Sequence, residues 1–151
     1  MTTRILIATL FFFVLSGTLT AQEKPQAIID GFFERLENTG TDDALDYIYG
    51  TNPWMSMNQD AVKNLKNQMS SLNDETYIGK LHGHDLITTE SIGPRFLLYS
   101  YLLRYDRQPI RFTFLFYRPS EEWRLHAFEF DGNVDEELKE SAKIYFLDNG
   151  Y

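Results

Sequence analysis

Two histidines, His82 and His84, have the spacing that a metal site on a β-strand would use. The stretch KLHGHDL places them two residues apart, and side chains at such positions of a strand share one face. Asp85 would point to the opposite face, and His126 lies on the last predicted strand, three strand intervals or about 14 Å away. We therefore predict no metal site and interpret the stretch as a short exposed strand.

Motifs of covalent and nucleotide chemistry are absent from the sequence. It contains no cysteine, which excludes a disulfide, a thiol nucleophile and a cysteine-ligated metal. It also lacks a G-x-S-x-G elbow, a P-loop and a dinucleotide-binding glycine pattern, so we predict no cofactor. The 14 basic and 22 acidic residues give a net charge of −8, which is opposite to what a nucleic-acid-binding protein needs.

The N-terminal residues have the pattern of a secretory signal peptide. Arg4 precedes a short apolar run, residues 5–15, and small and polar residues then lead to Ala21. We place the cleavage site after Ala21, with Gln22 as the alternative. A run of this length is shorter than the roughly 20 apolar residues of a membrane span, so we predict no stable membrane anchor. The expected organisation is a signal peptide, residues 1–21, and one domain, residues 22–151, in the periplasm or the medium.

The mature chain has helix patterns in its first half and strand patterns in its second half. The first helix starts at Pro25, the second runs from Thr41 as N-cap to Gly50, and the third has Asn58 as its cap and carries a narrow apolar stripe. The period then changes to two, which predicts strands near residues 77–88, 95–104, 110–118 and 123–131. A last helix is predicted from Val134 to about Tyr145. The predicted fold class is α+β, with three helices packed on a twisted four-stranded antiparallel sheet and a short C-terminal helix.

Two short loops set the register of the predicted sheet. A tight loop at residues 106–107 places Tyr99 opposite Phe114, and a loop at residues 119–122 places Phe114 opposite Ala127. Both registers agree on one face, which the helices must cover. This covered face comprises Leu97, Tyr99, Tyr101, Leu103, Phe112, Phe114, Phe116, Trp123, Leu125 and Ala127.

The opposite face of the sheet, here called the outer face, is too apolar for a surface in water. It comprises Phe96, Leu98, Ser100, Leu102, Arg111, Thr113, Leu115, Tyr117, Arg124, His126, Phe128 and Phe130. An apolar patch rimmed by charge is typical of an interface. Two interpretations stay open: a homodimer interface, or a surface covered by the C-terminal helix.

The order of elements, together with the segments NPW, SYLLRY, QPIRFTFLFYRP and EEWRL, resembles the nuclear transport factor 2-like (SnoaL-like) superfamily. The resemblance covers roughly residues 25–131. It implies a cone-shaped roll in which the bent sheet and the helices enclose a pocket, with dimerisation through the outer sheet face. That superfamily includes isomerases, dehydratases, hydrolases and non-enzymatic binding domains, so the fold does not by itself assign a function.

The resemblance also indicates which residues would line the pocket. These are Tyr47, Trp54, Tyr99, Tyr101 and Phe114. Enzymes of the superfamily place an acidic residue or a histidine opposite a tyrosine, and the weak candidates here are Tyr99, Tyr101 and Glu129. A glutamate among aromatic rings would have a raised pKa, suited to proton abstraction. We favour the alternative that the hydroxyls lie at the core edge and Glu129 pairs with an arginine, since the covered face as predicted lacks a histidine.

These observations favour an exported, non-enzymatic module that binds a small ligand or another protein. The expected partners are a small apolar or aromatic ligand and a second copy of the chain. The alternative is a cofactor-independent isomerase, dehydratase or hydrolase that uses a tyrosine and a carboxylate in the cone pocket.

Overall fold

The computed structural model describes residues 24–57 and 59–148, and the predicted signal peptide lies outside them. The described elements follow the chain as α1 (Pro25–Asn38), α2 (Thr41–Gly50), α3 (Gln59–Met69), β1 (Leu81–Ser91), β2 (Phe96–Tyr105), β3 (Pro109–Tyr117), β4 (Arg124–Asp131) and α4 (Val134–Asp148). Short 3-10 turns are formed by Met55–Met57, Ser70–Asn73 and Gly93–Arg95. The predicted fold class, α+β with the helices before an antiparallel sheet and a helix after it, is confirmed.

Helix α1 forms because its apolar side chains recur on one face behind a proline in the first turn. Its buried residues are Pro25, Ile28, Ile29, Phe32, Phe33 and Leu36. Helix α2 packs against α1 and buries Ala44, Leu45 and Ile48. Thr41 is the first residue of α2 rather than its N-cap, which is Gly40. The side chain of Asn73 accepts from the Thr41 amide at 3.2 Å and donates to its hydroxyl at 2.8 Å, which ties this helix start to the turn after α3.

Gly31 leaves room for the Tyr47 ring between α1 and α2. A Cβ at Gly31 would lie 2.6 Å from the Tyr47 hydroxyl, so a larger residue there would displace the end of the Tyr47 side chain. The Arg35 guanidinium lies over the Tyr47 ring, 3.8 Å from its centroid, and Nη1 of Arg35 donates to the Gly31 carbonyl at 2.8 Å. Tyr47 is therefore part of the packing between the two helices.

The four strands form one antiparallel sheet in the order β1-β2-β3-β4. In the β2–β3 hairpin, Tyr101 lies opposite Phe112 and Tyr99 lies opposite Phe114, which confirms the predicted register. The first strand begins at Leu81 and not near residue 77, because Asp74 organises a turn. Its carboxylate accepts from the Thr76 amide at 2.8 Å, and its carbonyl accepts from Ile78 at 3.0 Å.

The predicted register of β3 with β4 is correct at Phe116 and wrong beyond it. A bulge between Leu115 and Phe116 places Phe128, not Ala127, opposite Phe114. Because one extra residue reverses the alternation, Phe128 and Phe130 turn to the covered face, where Phe128 is buried. Ala127 and Glu129 turn to the outer face by the same shift.

The core between helices and sheet is filled by aromatic rings. Phe32, Phe112, Phe114 and Phe116 are completely buried. The Phe32 ring meets Phe114 edge-on at 5.2 Å between centroids, and Phe112 meets Phe128 edge-on at 5.1 Å. The run of phenylalanines in β3 is thus the floor of a helix-on-sheet core. Within the described part of the chain, no helix is both long enough and apolar enough to cross a membrane.

Candidate functional site

Tyr101 is buried at the end of the core beside α1. Its hydroxyl and the Gln26 amide are 3.0 Å apart, and Gln26 also donates to Oδ1 of Asp30 at 2.8 Å. Burial, the largest cause, and the nearby Asp30 charge raise the pKa of Tyr101, while the Gln26 hydrogen bond lowers it. Only 4% of Tyr101 is exposed, so its hydroxyl faces the protein rather than an open pocket.

A histidine lies beside Tyr101, contrary to the sequence prediction for the covered face. The His84 ring stacks on Phe33 with centroids 3.6 Å apart and meets the Tyr101 ring edge-on at 5.7 Å. Its Nδ1 lies 3.6 Å from a carboxylate oxygen of Glu37. Gly83 has a φ of +126°, and the resulting irregularity in β1 brings His84 opposite Leu103, on the covered side.

The two histidines of KLHGHDL therefore have different surroundings. His82 lies at the start of β1, where its Nε2 is 2.6 Å from Oδ1 of Asp106, and this hydrogen bond is the main cause of a lowered pKa at Asp106. His84 packs against α1 instead. Among the residues that the structure describes, no group of three or more histidine, aspartate or glutamate side chains is placed to hold a metal ion.

Glu129 does not join Tyr99 and Tyr101. The β4 bulge puts it on the outer face, exposed and opposite Thr113. Tyr99 is half-buried, and its ring meets Phe116 edge-on at 6.2 Å. The structure therefore separates the glutamate from the two tyrosines with which the sequence analysis grouped it.

The remaining pocket-lining candidates lie in separate places. Phe114 is sealed within the core, and Tyr47 packs between α1 and α2. Trp54 follows α2, is 70% exposed, and lines a cavity of about 200 Å³ together with Tyr117 and His126. Of the five candidates, Tyr101 and Phe114 are in ring contact, at 6.1 Å, and both belong to the core.

An apolar opening lies between α2 and α3, and we call it the α3 groove. It has a volume of about 660 Å³, within the range of small-ligand sites. Its apolar lining is Tyr49, Pro53, Met55 and Val62, and its polar lining includes Asp46, Asn52, Gln59, Lys63 and Lys66. Burial raises the pKa of Tyr49, which therefore contributes a neutral phenol.

The α3 groove exists because α3 packs loosely. Of the residues in α3, only Met69 is buried, whereas Val62 and Leu65 of the predicted stripe stay half-buried. A second cavity of about 390 Å³ lies on the other side of the stripe, lined by Leu65 and Phe128 and sharing Val62 with the α3 groove. The spacing of apolar residues predicted this helix, but not that it would leave space on both sides.

A third cavity, of about 630 Å³, lies where α1 ends and β1 begins. Its lining is more polar and includes Glu37, Glu75, Lys80 and His82. Tyr105 closes one side, and burial raises the pKa of its hydroxyl to about 12. With two carboxylates against one lysine, this cavity is less suited to an anion.

The outer face of the sheet is partly exposed and bears an aromatic cluster. His126 meets the rings of Phe96 and Tyr117 edge-on, at 5.3 Å and 6.5 Å. Helix α4 is held at its start by Arg111, whose Nη1 contacts Glu137 at 2.6 Å and whose Nη2 contacts Asp131 at 2.9 Å.

The described side chains of α4 beyond its first residue are exposed. Every side chain described from residue 135 to residue 144 is exposed, including Leu138 at 71%. Residues 135–144 therefore do not cover the outer face, one of the two interpretations of its apolar surface.

Comparisons with known proteins give no further identification. No family model, no curated protein and no solved structure matches this chain.

Proposed function

We propose that the mature chain, residues 22–151, is an exported binding module of the nuclear transport factor 2-like type, and that it takes a small apolar ligand in the α3 groove. One observation carries the proposal. Aromatic rings seal the core beneath the helices, whereas Val62 and Leu65 of α3 remain half-buried beside two cavities. A ligand that entered there would complete the burial of the α3 stripe, a favourable change of roughly 25 cal/mol for each Å² of apolar surface removed from water.

The proposal is tested by titrating the mature protein with the neutral fluorescent probe N-phenyl-1-naphthylamine. We expect saturable binding, weakened about tenfold or more in Val62→Asp because the carboxylate would have to lose its hydration inside the groove. Ile92→Asp is the matched control, since Ile92 is 78% exposed and lines none of the cavities described above. Equal binding by all three proteins would place the ligand elsewhere, and an absence of binding would reject the proposal.

Export is the second part of the proposal, supported by the pattern of Arg4 followed by a short apolar run. Mature protein recovered outside the cytoplasm should begin at Gln22 or Glu23. An intact N-terminus on a cytoplasmic species at steady state would contradict it.

A homodimer is the third part, formed through the outer face. Leu98, Leu102 and Leu115 lie there half-buried, and Tyr117 is 46% exposed. A twofold axis through this face would bring the same apolar patch of two subunits together. The side chains described from residue 135 to residue 144 of α4 are exposed, so these residues do not compete for it.

A second candidate function, a cofactor-independent enzyme, is favoured by the contact of His84 with Tyr101 and by Glu37 beside it. A histidine near both a carboxylate and a phenol is suited to proton transfer. We rank it below binding because Tyr101 is buried and hydrogen-bonded to Gln26. Turnover of hydroxy-ketone or ester substrates that is lost in both Tyr101→Phe and His84→Gln, with folding intact, would reverse this order.

A further inference from the structure

The polar edge of the α3 groove carries a local excess of positive charge. Gln59, Lys63 and Lys66 are spaced i, i+4, i+7 along α3, so they lie on one face of the helix, and all three line the groove. Lys66 contacts Asp46 at 2.6 Å, whereas Lys63 is exposed and forms no ion pair with the described residues. Two ammonium groups thus stand against one carboxylate at this edge.

The opposite side of the groove is apolar. Tyr49, Pro53 and Met55 form a wall that Val62 faces from α3. Met55 and Val62 also border the cavity of about 390 Å³. A flexible ligand tail that displaces these two side chains would therefore enter this second cavity. Methionine is suited to such a boundary because its unbranched side chain adapts to different neighbours.

From this arrangement we infer that the ligand is an amphiphilic anion: a single-chain molecule with a carboxylate head between Lys63 and Lys66 and a long apolar tail over Val62. The inference rests on the proposed binding function and adds the chemical class of the ligand. The α3 groove, with a volume of about 660 Å³, has two ammonium groups on one side and an apolar wall on the other. The polar cavity beside β1 sets one lysine against two glutamates instead.

The test compares three ligands with the same twelve-carbon tail by displacement of N-phenyl-1-naphthylamine, the ionic ones below their micelle concentrations and the alcohol below its solubility. The ligands are dodecanoate, dodecanol and dodecyltrimethylammonium. We expect dodecanoate to bind about tenfold more tightly than the cation. Lys63→Gln should weaken dodecanoate about three- to fivefold, as expected for an exposed charge contact, and leave dodecanol unchanged within about twofold. Lys139→Gln, an exposed lysine on α4, is the matched control and should change neither affinity.

The outcomes separate this inference from the proposed function. Equal affinity for the three ligands, unaffected by Lys63→Gln, would overturn the anionic class and leave an apolar groove. Failure of all three to bind would overturn both. Binding to vesicles that contain phosphatidylglycerol, without binding of monomeric dodecanoate, would assign the lysines to a membrane surface and overturn the inference.

Discussion

Phe128 lies directly opposite Phe114 across the β3–β4 pair, with ring centroids 5.1 Å apart. This pairing depends on the bulge between Leu115 and Phe116, which reverses the sheet face of each side chain in the second half of β4. It adds an aromatic ring to the core and removes Glu129 from the covered face. The same local irregularity therefore strengthens the packing and separates Glu129 from the tyrosines with which a catalytic pair had been considered.

The position of Phe114 predicts a large cost for its removal. Phe114→Ala should lower the free energy of unfolding by about 3–5 kcal/mol, because a completely buried ring leaves a cavity. Thr113→Ala, at the neighbouring position on the outer face, should lower the free energy of unfolding far less. The measurement is urea unfolding of both variants, and equal losses would mean that the two faces are wrongly assigned.

The sign of the stability change on replacing Gly31 by alanine tests the α1–α2 contact. Replacing a glycine inside a helix by alanine ordinarily stabilises by about 1 kcal/mol. At Gly31 the new Cβ would lie 2.6 Å from the Tyr47 hydroxyl, so we expect Gly31→Ala to destabilise by about 1–3 kcal/mol. Gly50→Ala is the matched control, because a Cβ there meets no atom within 4 Å. A rise in melting temperature for Gly31→Ala would show that the Tyr47 ring moves aside without cost and would contradict this prediction.

The outer face predicts a homodimer that one charged substitution should dissociate. Leu115→Asp would bring two carboxylates into the centre of an apolar twofold interface, each desolvated without a partner. We expect the parent to sediment as a dimer and the variant as a folded monomer. A parent that is monomeric at high concentration would contradict the interface. If truncation after Asp131 then caused aggregation, the C-terminal helix would be the cover.

Tyr105 predicts a loss of stability at alkaline pH. Its pKa is raised by burial from 10.0 to about 12, so the unfolded chain ionises first as pH rises. The contribution of this phenol is fully present below pH 10.0 and is lost as pH rises toward about 12. Urea unfolding between pH 9 and pH 12 should show a shallower decline in Tyr105→Phe than in the parent. Tyr77→Phe, at a tyrosine that is 58% exposed, is the control and should follow the parent.

The sequence was most informative where short loops constrain the chain. The two-residue loop at 106–107 leaves one register for β2 and β3, and the alternation of aromatic residues then identifies the covered face. A bulge adds one residue without a distinctive signal, so the reversal that buries Phe128 was missed. Gly83 was a partial signal for the irregularity in β1, since its φ of +126° is accessible mainly to glycine.

The α3 groove could not be predicted from periodicity. The narrow stripe of Val62, Leu65 and Met69 correctly predicts an amphipathic helix. The distance between that helix and α2 depends on the loops that connect them and on the elements packed around them. The sequence of α3 alone contains no pattern that reports this distance. The pocket was instead expected around Tyr99 and Tyr101, where the ring of Phe33 packs edge-on against Tyr101 and that of Phe116 against Tyr99.

The most direct test of the central claim is native mass spectrometry of the mature protein and Val62→Asp, each purified from the exported fraction without detergent. The account predicts that the parent carries one small-molecule adduct per chain, that the adduct fragments to an aliphatic carboxylate, and that Val62→Asp lacks it. An adduct retained equally by both proteins, or a parent that stays bare even after incubation with dodecanoate, would contradict binding in the α3 groove.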